Sequence, residues 1–311
     1  MHKLLIVSRD ADAYRERIDA HQIASLDIVQ AVSDIRDLAP QDRVDILLGD
    51  PDMCAQSLHR IPEIDWIQST WAGVKPIVDT QKASTLLTGI KGVFGEQMRE
   101  YVMAYLLHFN RQIDEFKQLQ QRQEWLQPRC APLSGQTIGI LGLGSIGLEV
   151  AHTAKHFGMK VIGVSRKSIE NLSIDKHYTL DQHADFAPQL DYLVCLLPHT
   201  TATEKVINDT FLSKLKPSCV IINAGRAQSI DYVALQNALK NNRLRAAVLD
   251  VFEQEPLPQS SPLWRMSNVL ITQHTAAISN VDDITGVFMQ NYLHFCENKP
   301  LNFQIDWDIG Y

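Results

Sequence analysis

Between Thr137 and Lys167 the chain reads TIGILGLGSIGLEVAHTAKHFGMKVIGVSRK. An apolar run is followed by a turn carrying Gly142, Gly144 and Gly147, then by an amphipathic stretch closed by Gly158, then by a second apolar run. Strand, glycine turn, helix and strand within roughly thirty residues form the frame of a βαβ unit. Such a unit joins parallel strands that must be buried on both faces. This stretch therefore commits its part of the chain to an open parallel sheet covered by helices.

The glycines fit G-x-G-x-x-G, and each position has its own steric task. The first permits a tight turn, the second lets backbone approach a pyrophosphate, and the third lets the helix pack close to the strand. The helix start then offers unpaired N–H groups and a positive dipole end to phosphates. An NAD site ends its second strand on an acidic residue that accepts from ribose hydroxyls. Here that position is Ser165, followed by Arg166 and Lys167. A guanidinium fork beside an ammonium suits a phosphate monoester, so NADP(H) is the favoured ligand and NAD(H) the alternative.

The same alternation of Val/Ile/Leu runs with amphipathic stretches extends along the chain, the pattern of an α/β protein. Strands are expected at KLLIVS, VDILLGD, WIQST and STLLTGI in the first third, where no glycine fingerprint follows. After Pro132 they are expected at TIGIL, KVIGVS, YLVCLL, CVIIN, AAVLD and NVLIT. From Gly95 to Trp125 helical spacing predicts one long helix crossing between two lobes, and another helix begins near Asn280. A length of 311 residues suits two cores. The expected division is a substrate domain over 1–96 plus 280–311 and a dinucleotide-binding domain over 97–279, with the last thirty or so residues packing back on the first lobe.

A net charge of −7 provides no footprint for nucleic acid or anionic lipid, which points to a small-molecule partner. The five cysteines, Cys54, Cys130, Cys195, Cys219 and Cys296, are scattered and lack metal-ligand spacing. They read as free thiols, and no metal is expected. No signal peptide or membrane-length apolar run is seen, so the expectation is a cytoplasmic protein.

Ligands of open α/β sheets lie beyond the carboxyl ends of the strands. There the chain places Ala224-Gly225-Arg226 after CVIIN, Asp250 with Glu253 and Glu255 after AAVLD, and Gln273-His274 after NVLIT. A cation, a carboxylate and a histidine can together hold a 2-oxo acid and deliver a proton to its carbonyl oxygen. Singly, each has a plainer explanation as a salt-bridge partner, turn cap or surface residue.

The series GILGLGSIG, LLPHTTATEKVIN, INAGRAQSID, LDVFEQEPLPQSSPLW and ITQHTAA, in this order, resembles the D-isomer-specific 2-hydroxyacid dehydrogenase family, particularly its glyoxylate/hydroxypyruvate reductase branch. The resemblance covers most of the chain. It implies two Rossmann-like lobes with parallel sheets, an active site in the interdomain cleft, and a homodimer built on the cofactor lobe. It also implies Arg226 as substrate arginine, His274 as acid/base and Glu255 as the group orienting it, with Glu253 a nearby decoy. Ser145, Ile146, Pro198, Ala224 and Asp250 fall on cofactor-contact positions. The loop STWAGVKPI resembles the segment whose amides hold substrate carboxylate, which nominates Ala72, Gly73 and Val74, while Trp71 and Trp264 are pocket-shaping candidates.

Two positions depart from the family pattern: Ala227 stands where glycine usually follows the arginine, and Gln273 where proline usually precedes the histidine. The expected activity is NADPH-dependent reduction of a small 2-oxo acid to the D-2-hydroxy acid. The alternatives are a nicotinamide-sensing, co-repressor-like binding protein and an NADH-linked dehydrogenase of a larger 2-oxo acid.

Overall fold

The structure, a computed structural model, describes all residues except 42, 81–83, 168, 170 and 308–311. The last four, which end the segment expected to return to the first lobe, lie outside the described residues. The chain divides into two compact units, Met1–Val93 with Ser279–Tyr311, and Phe94–Ile278.

The first unit is built on a parallel sheet of β1 (His2–Val7), β2 (Leu26–Val32), β3 (Ile46–Gly49), β4 (Trp66–Ser69) and β5 (Leu86–Thr88), in the order β2-β1-β3-β4-β5. Leu4–Val7, Ile46–Leu48, Trp66 and Ile67 have no solvent exposure, as two-sided burial requires. Strand β2 was not expected. It is an edge strand, LDIVQAV, half-buried until Val32, so it lacks the unbroken apolar run of a central strand. The helix Val281–Cys296 begins at Asn280, whose side chain accepts from the amides of Asp282 and Asp283. Its Phe288 stacks on Trp66 with ring centroids 5.4 Å apart, which anchors the C-terminal helix to this sheet. Beyond it, Trp307 Nε1 donates to the Thr85 carbonyl.

The second unit holds β6 (Thr137–Leu141), β7 (Lys160–Val164), β8 (Lys176–Tyr178), β9 (Tyr192–Cys195), β10 (Val220–Asn223), β11 (Ala246–Leu249) and β12 (Val269–Ile271). The order is β12-β11-β10-β9-β6-β7-β8, all parallel, with the direction of winding reversing between β6 and β9. Such a reversal is where open α/β sheets bind ligands. Apolar cores cover both faces, one around Phe186, Leu193, Ile221 and Leu235, the other around Val102, Ile138, Val150 and Ile222. Strand β8, the three residues KHY, is a further edge strand too short and polar to stand out in the sequence.

The long helix expected from Gly95 is two helices, Gly95–Asn110 and Ile113–Arg122, and both belong to the second unit. The first buries Met98, Val102 and Leu106 along one face, whereas the second buries only Leu119. Where the apolar stripe runs out, Gln112 turns left-handed at φ 52°, and its side chain donates to the Arg129 carbonyl at 2.7 Å. A run of helical spacing across this break cannot reveal it, because the polar residues on both sides are good helix formers.

Candidate active site

The three glycines after β6 do different things. Gly142 has φ +103°, and a Cβ there would lie 2.9 Å from the Leu196 carbonyl oxygen. A Cβ on Gly147 would lie 2.1 Å from the Gly142 carbonyl oxygen, so only glycine lets the helix Ser145–His156 start this close to its strand. A Cβ on Gly144 would meet nothing within 4 Å. Gly144 is also the N-cap, and no side chain caps the helix. Open space beside uncapped amides, at the end of an apolar strand, is the shape and polarity a dinucleotide pyrophosphate requires. Ser145 is exposed and Ile146 half-buried on that first turn.

Past β7, the Ser165 hydroxyl donates to the Lys167 carbonyl at 2.7 Å and shares a 2.9 Å hydrogen bond with His177 Nε2 on β8. Arg166 and Lys167 are exposed. His177 escaped the sequence reading because it reaches Ser165 only through the pairing of β7 with β8. After β9, the Pro198 carbonyl accepts from Thr203 at 2.6 Å. After β10, Ala224 is buried with its amide on the Cys195 carbonyl.

Arg226 follows in extended conformation, its Nη1 donating to the Gly225 carbonyl at 2.7 Å. Burial lowers its guanidinium pKa, and the negative charge of Glu255 compensates only in part. The site thus contains a desolvated cation suited to a small anion.

Asp250 and the loop after β12 form one hydrogen-bonded assembly. The buried Asp250 carboxylate accepts from the Thr272 hydroxyl at 2.6 Å and from the amides of Thr275 and Ala276 at 2.8 and 3.1 Å. Its carbonyl accepts the His274 amide at 2.6 Å. With Thr272 donating to Asp250, the 2.8 Å contact between Tyr101 and Thr272 has the tyrosine hydroxyl as donor. Gln273 and His274 are both left-handed, at φ 57° and 59°, a conformation that strains non-glycine residues and persists only when surroundings impose it. His274 Nδ1 lies 2.8 Å from Glu255 Oε2, and Glu255 Oε1 accepts the Phe252 amide, also at 2.8 Å. Glu253 is exposed, and the ion pair to His274 is made by Glu255.

In the first unit, Ala72, Gly73 and Val74 follow β4. Among the described residues their amides donate to no protein acceptor. Trp71 is exposed, and the Trp264 ring N–H donates to the Pro258 carbonyl at 3.0 Å within the second unit. Cys195 and Cys219 are buried, and burial pushes the Cys195 thiol up to about 11, consistent with inert core thiols.

Residues 103–276 match the family defined as D-isomer specific 2-hydroxyacid dehydrogenase, NAD binding domain. The chain belongs to the D-isomer-specific 2-hydroxyacid dehydrogenase family. A glyoxylate/hydroxypyruvate reductase A of Serratia proteamaculans is 36% identical over 216 residues, 67% of this chain and 69% of that protein. A crystal structure of a family protein from Aeromonas salmonicida aligns with a TM-score of 0.93 at 38% identity over 99% of both chains. The NADPH-dependent glyoxylate/hydroxypyruvate reductase of Sinorhizobium meliloti, solved with NADP and sulfate, aligns at 0.87 and 27% identity over 100% of both.

As a 2-hydroxyacid dehydrogenase the protein is an NAD(P)-dependent enzyme, which sets aside the reading as a binding protein without turnover. The fold agrees with the family in both units, each an α/β Rossmann-like layer structure around a parallel sheet. Among the described residues no helix is long and apolar enough to cross a membrane.

Proposed function

We propose that this dehydrogenase uses NADPH to reduce a small 2-oxo acid, of glyoxylate or hydroxypyruvate type, to the D-2-hydroxy acid. The observation that carries the chemistry is the His274–Glu255 pair, with Nδ1 engaged by the carboxylate at 2.8 Å. That contact leaves Nε2 as the atom that presents a proton to the substrate carbonyl oxygen. The half-buried Arg226 cation takes the substrate carboxylate. The amides of Ala72, Gly73 and Val74 are a second set of carboxylate donors. Asp250, just past β11, holds the histidine loop and would contact the nicotinamide end of the cofactor.

Gly142, Gly144, Ser145, Ile146 and Gly147 would hold the cofactor's pyrophosphate, with Pro198 and Ala224, which follow β9 and β10, as further contacts. Bound there, the cofactor supplies the hydride. Ser165, Arg166 and Lys167 are read as the 2′-phosphate site, since this strand end carries no acidic residue to repel a phosphate. The NADP found with the Sinorhizobium meliloti reductase supports that choice.

Initial rates with NADPH and NADH against glyoxylate, hydroxypyruvate, pyruvate and phenylpyruvate test the reading. Fast turnover with NADPH and the small acids is the expected result. Preference for NADH or for phenylpyruvate would overturn the cofactor or the substrate assignment respectively.

The enzyme is further read as a cytoplasmic homodimer formed through the cofactor unit. Exposed Phe116, Trp125 and Leu126, at 44%, 91% and 61%, support a contact there. Sedimentation equilibrium should give a dimer, and Phe116→Glu with Trp125→Glu should shift it toward monomer.

A further inference from the structure

At the carboxyl ends of β1, β3 and β4 in the first unit, a charged cluster occupies the point where the strand order reverses. Arg9 follows β1. Its Nη1 donates to Asp50 Oδ2 at 3.0 Å and Asp52 Oδ1 at 3.1 Å, its Nη2 to Asp52 Oδ2 at 2.6 Å, and its amide to Asp50 Oδ2 at 3.0 Å. The remaining oxygen of buried Asp50 accepts the hydroxyls of Ser8 at 2.9 Å and Thr70 at 2.6 Å. The fork thus fixed lies over the Trp71 indole, its carbon 5.3 Å from the ring centroid. Within Trp71 the main chain is pinned at both ends by Ser69, whose hydroxyl accepts the amide at 3.0 Å and donates to the carbonyl at 2.8 Å.

Arg9 is not a carboxylate clamp. Its forked N–H groups already serve two carboxylates, and the three side chains sum to a net negative charge that repels an acid substrate. The Arg9 hydrogen bonds hold Asp52 below the usual carboxylate range, so the pair remains ionised at neutral pH. What the cluster does is fix one ring. A guanidinium over an indole face is attracted by the ring quadrupole and restricts its rotamers. Trp71 is 39% exposed and immediately precedes Ala72, Gly73 and Val74, whose amides donate to no protein acceptor among the described residues.

We infer that Arg9, anchored by Asp50 and Asp52, is a positioning residue that locks the Trp71 indole beside the carboxylate-binding amides and thereby favours 2-oxo acids with a small group on the carbonyl carbon. The inference rests on the 2-oxo acid reading above. Losing the lock lets the ring swing, which weakens binding of the small acid and admits a larger one, while leaving the cofactor site untouched.

The test compares wild type, Arg9→Ala, Trp71→Leu and the double variant. Both single changes should raise KM for glyoxylate on the order of tenfold with kcat nearly unchanged, the signature of lost uniform binding. They should also shift kcat/KM toward phenylpyruvate, leave the Kd for NADPH unaltered, and combine without adding, because they act through one contact. Equal losses for glyoxylate and phenylpyruvate, or additive effects, overturn the inference. Should Arg9→Ala fail to fold, the exposed Trp71→Leu and Asp52→Asn carry the same prediction.

Oxalate, which cannot be reduced, separates this inference from the substrate reading. Indole quenching by oxalate that vanishes in Trp71→Leu and needs about tenfold more oxalate in Arg9→Ala supports the lock, whatever acids are turned over. If the wild type reduces no 2-oxo acid yet shows this quenching, the substrate reading alone falls. Quenching that persists in Trp71→Leu, or that needs no more oxalate in Arg9→Ala than in wild type, overturns the lock.

Discussion

His274 Nδ1 and Glu255 Oε2 lie 2.8 Å apart, and the second Glu255 oxygen is held by the Phe252 amide. The carboxylate is therefore oriented by main chain before it orients the imidazole. A histidine more than half exposed, with a side-chain accessibility of 55%, would otherwise rotate among several rotamers. The pair converts a surface histidine into a group with one defined proton-bearing edge.

His274→Ala should lower turnover by roughly 10²- to 10⁴-fold, the usual contribution of a positioned general acid. Glu255→Gln should lower it less, and Glu253→Gln should leave it near wild type. Steady-state rates for the three variants decide between the neighbouring glutamates, and a large loss in Glu253→Gln would reverse their roles.

Gln273 at φ 57° occupies a conformation closed to proline, whose ring holds φ near about −65°. Gln273→Pro should rearrange the loop, break the 2.6 Å bond from the His274 amide to the Asp250 carbonyl, and depress kcat while NADPH still binds. Gln273→Gly, which adopts the left-handed region without strain, should retain activity. Kinetics together with cofactor titration of both variants check this.

Gly144→Ala and Gly147→Ala should fail in different ways. The methyl of the first enters open space at the helix start, so the melting temperature should hold while NADPH affinity falls. The methyl of the second meets the Gly142 carbonyl at 2.1 Å, so the fold itself should be destabilised. Thermal melts with and without NADPH distinguish the two.

Arg166→Ala with Lys167→Ala should weaken NADPH far more than NADH, because only the former carries the 2′-phosphate. Kd values for both nucleotides provide the comparison. Equal losses would show that these side chains do not read that group.

Asp175 ties β7 to the helix Ser145–His156. Burial acts to raise its pKa, but the Lys155 ammonium at 2.8 Å and the Val161 amide at 2.7 Å outweigh this and leave it lowered from 3.8. A depressed folded pKa means the unfolded chain takes up the proton first as pH falls. The stabilisation is therefore complete above the unfolded value and is lost as pH drops through the folded one. Wild type should be more stable than Asp175→Asn at neutral pH, and the gap should close below about pH 4. Denaturant melts across that range measure it.

Local sequence was sufficient for the central strands, the glycine turn and the strand-end residues. Two-sided burial writes itself as an apolar run, and a turn needing φ > 0 or close packing selects glycine. Gly142, Gly147, Arg226 and His274 could each be named from spacing and order alone, and so could the membership of a parallel α/β class. Edge strands β2 and β8 could not, since a half-exposed strand carries no continuous apolar signal. The break at Gln112 was equally silent.

Tertiary structure decided whatever depends on pairs distant in the chain. The resemblance nominated Glu255 over Glu253, but the 2.8 Å contact of Glu255 with His274, nineteen residues on, exists only in the packed chain. Asp250 collects the loop after β12, and Arg9 finds Asp50 across 41 residues to stand over Trp71. Hydrogen-bond geometry falls off within a few tenths of an ångström and a few tens of degrees. Residue order can nominate such partners, but only the packed backbone brings one of them within that range.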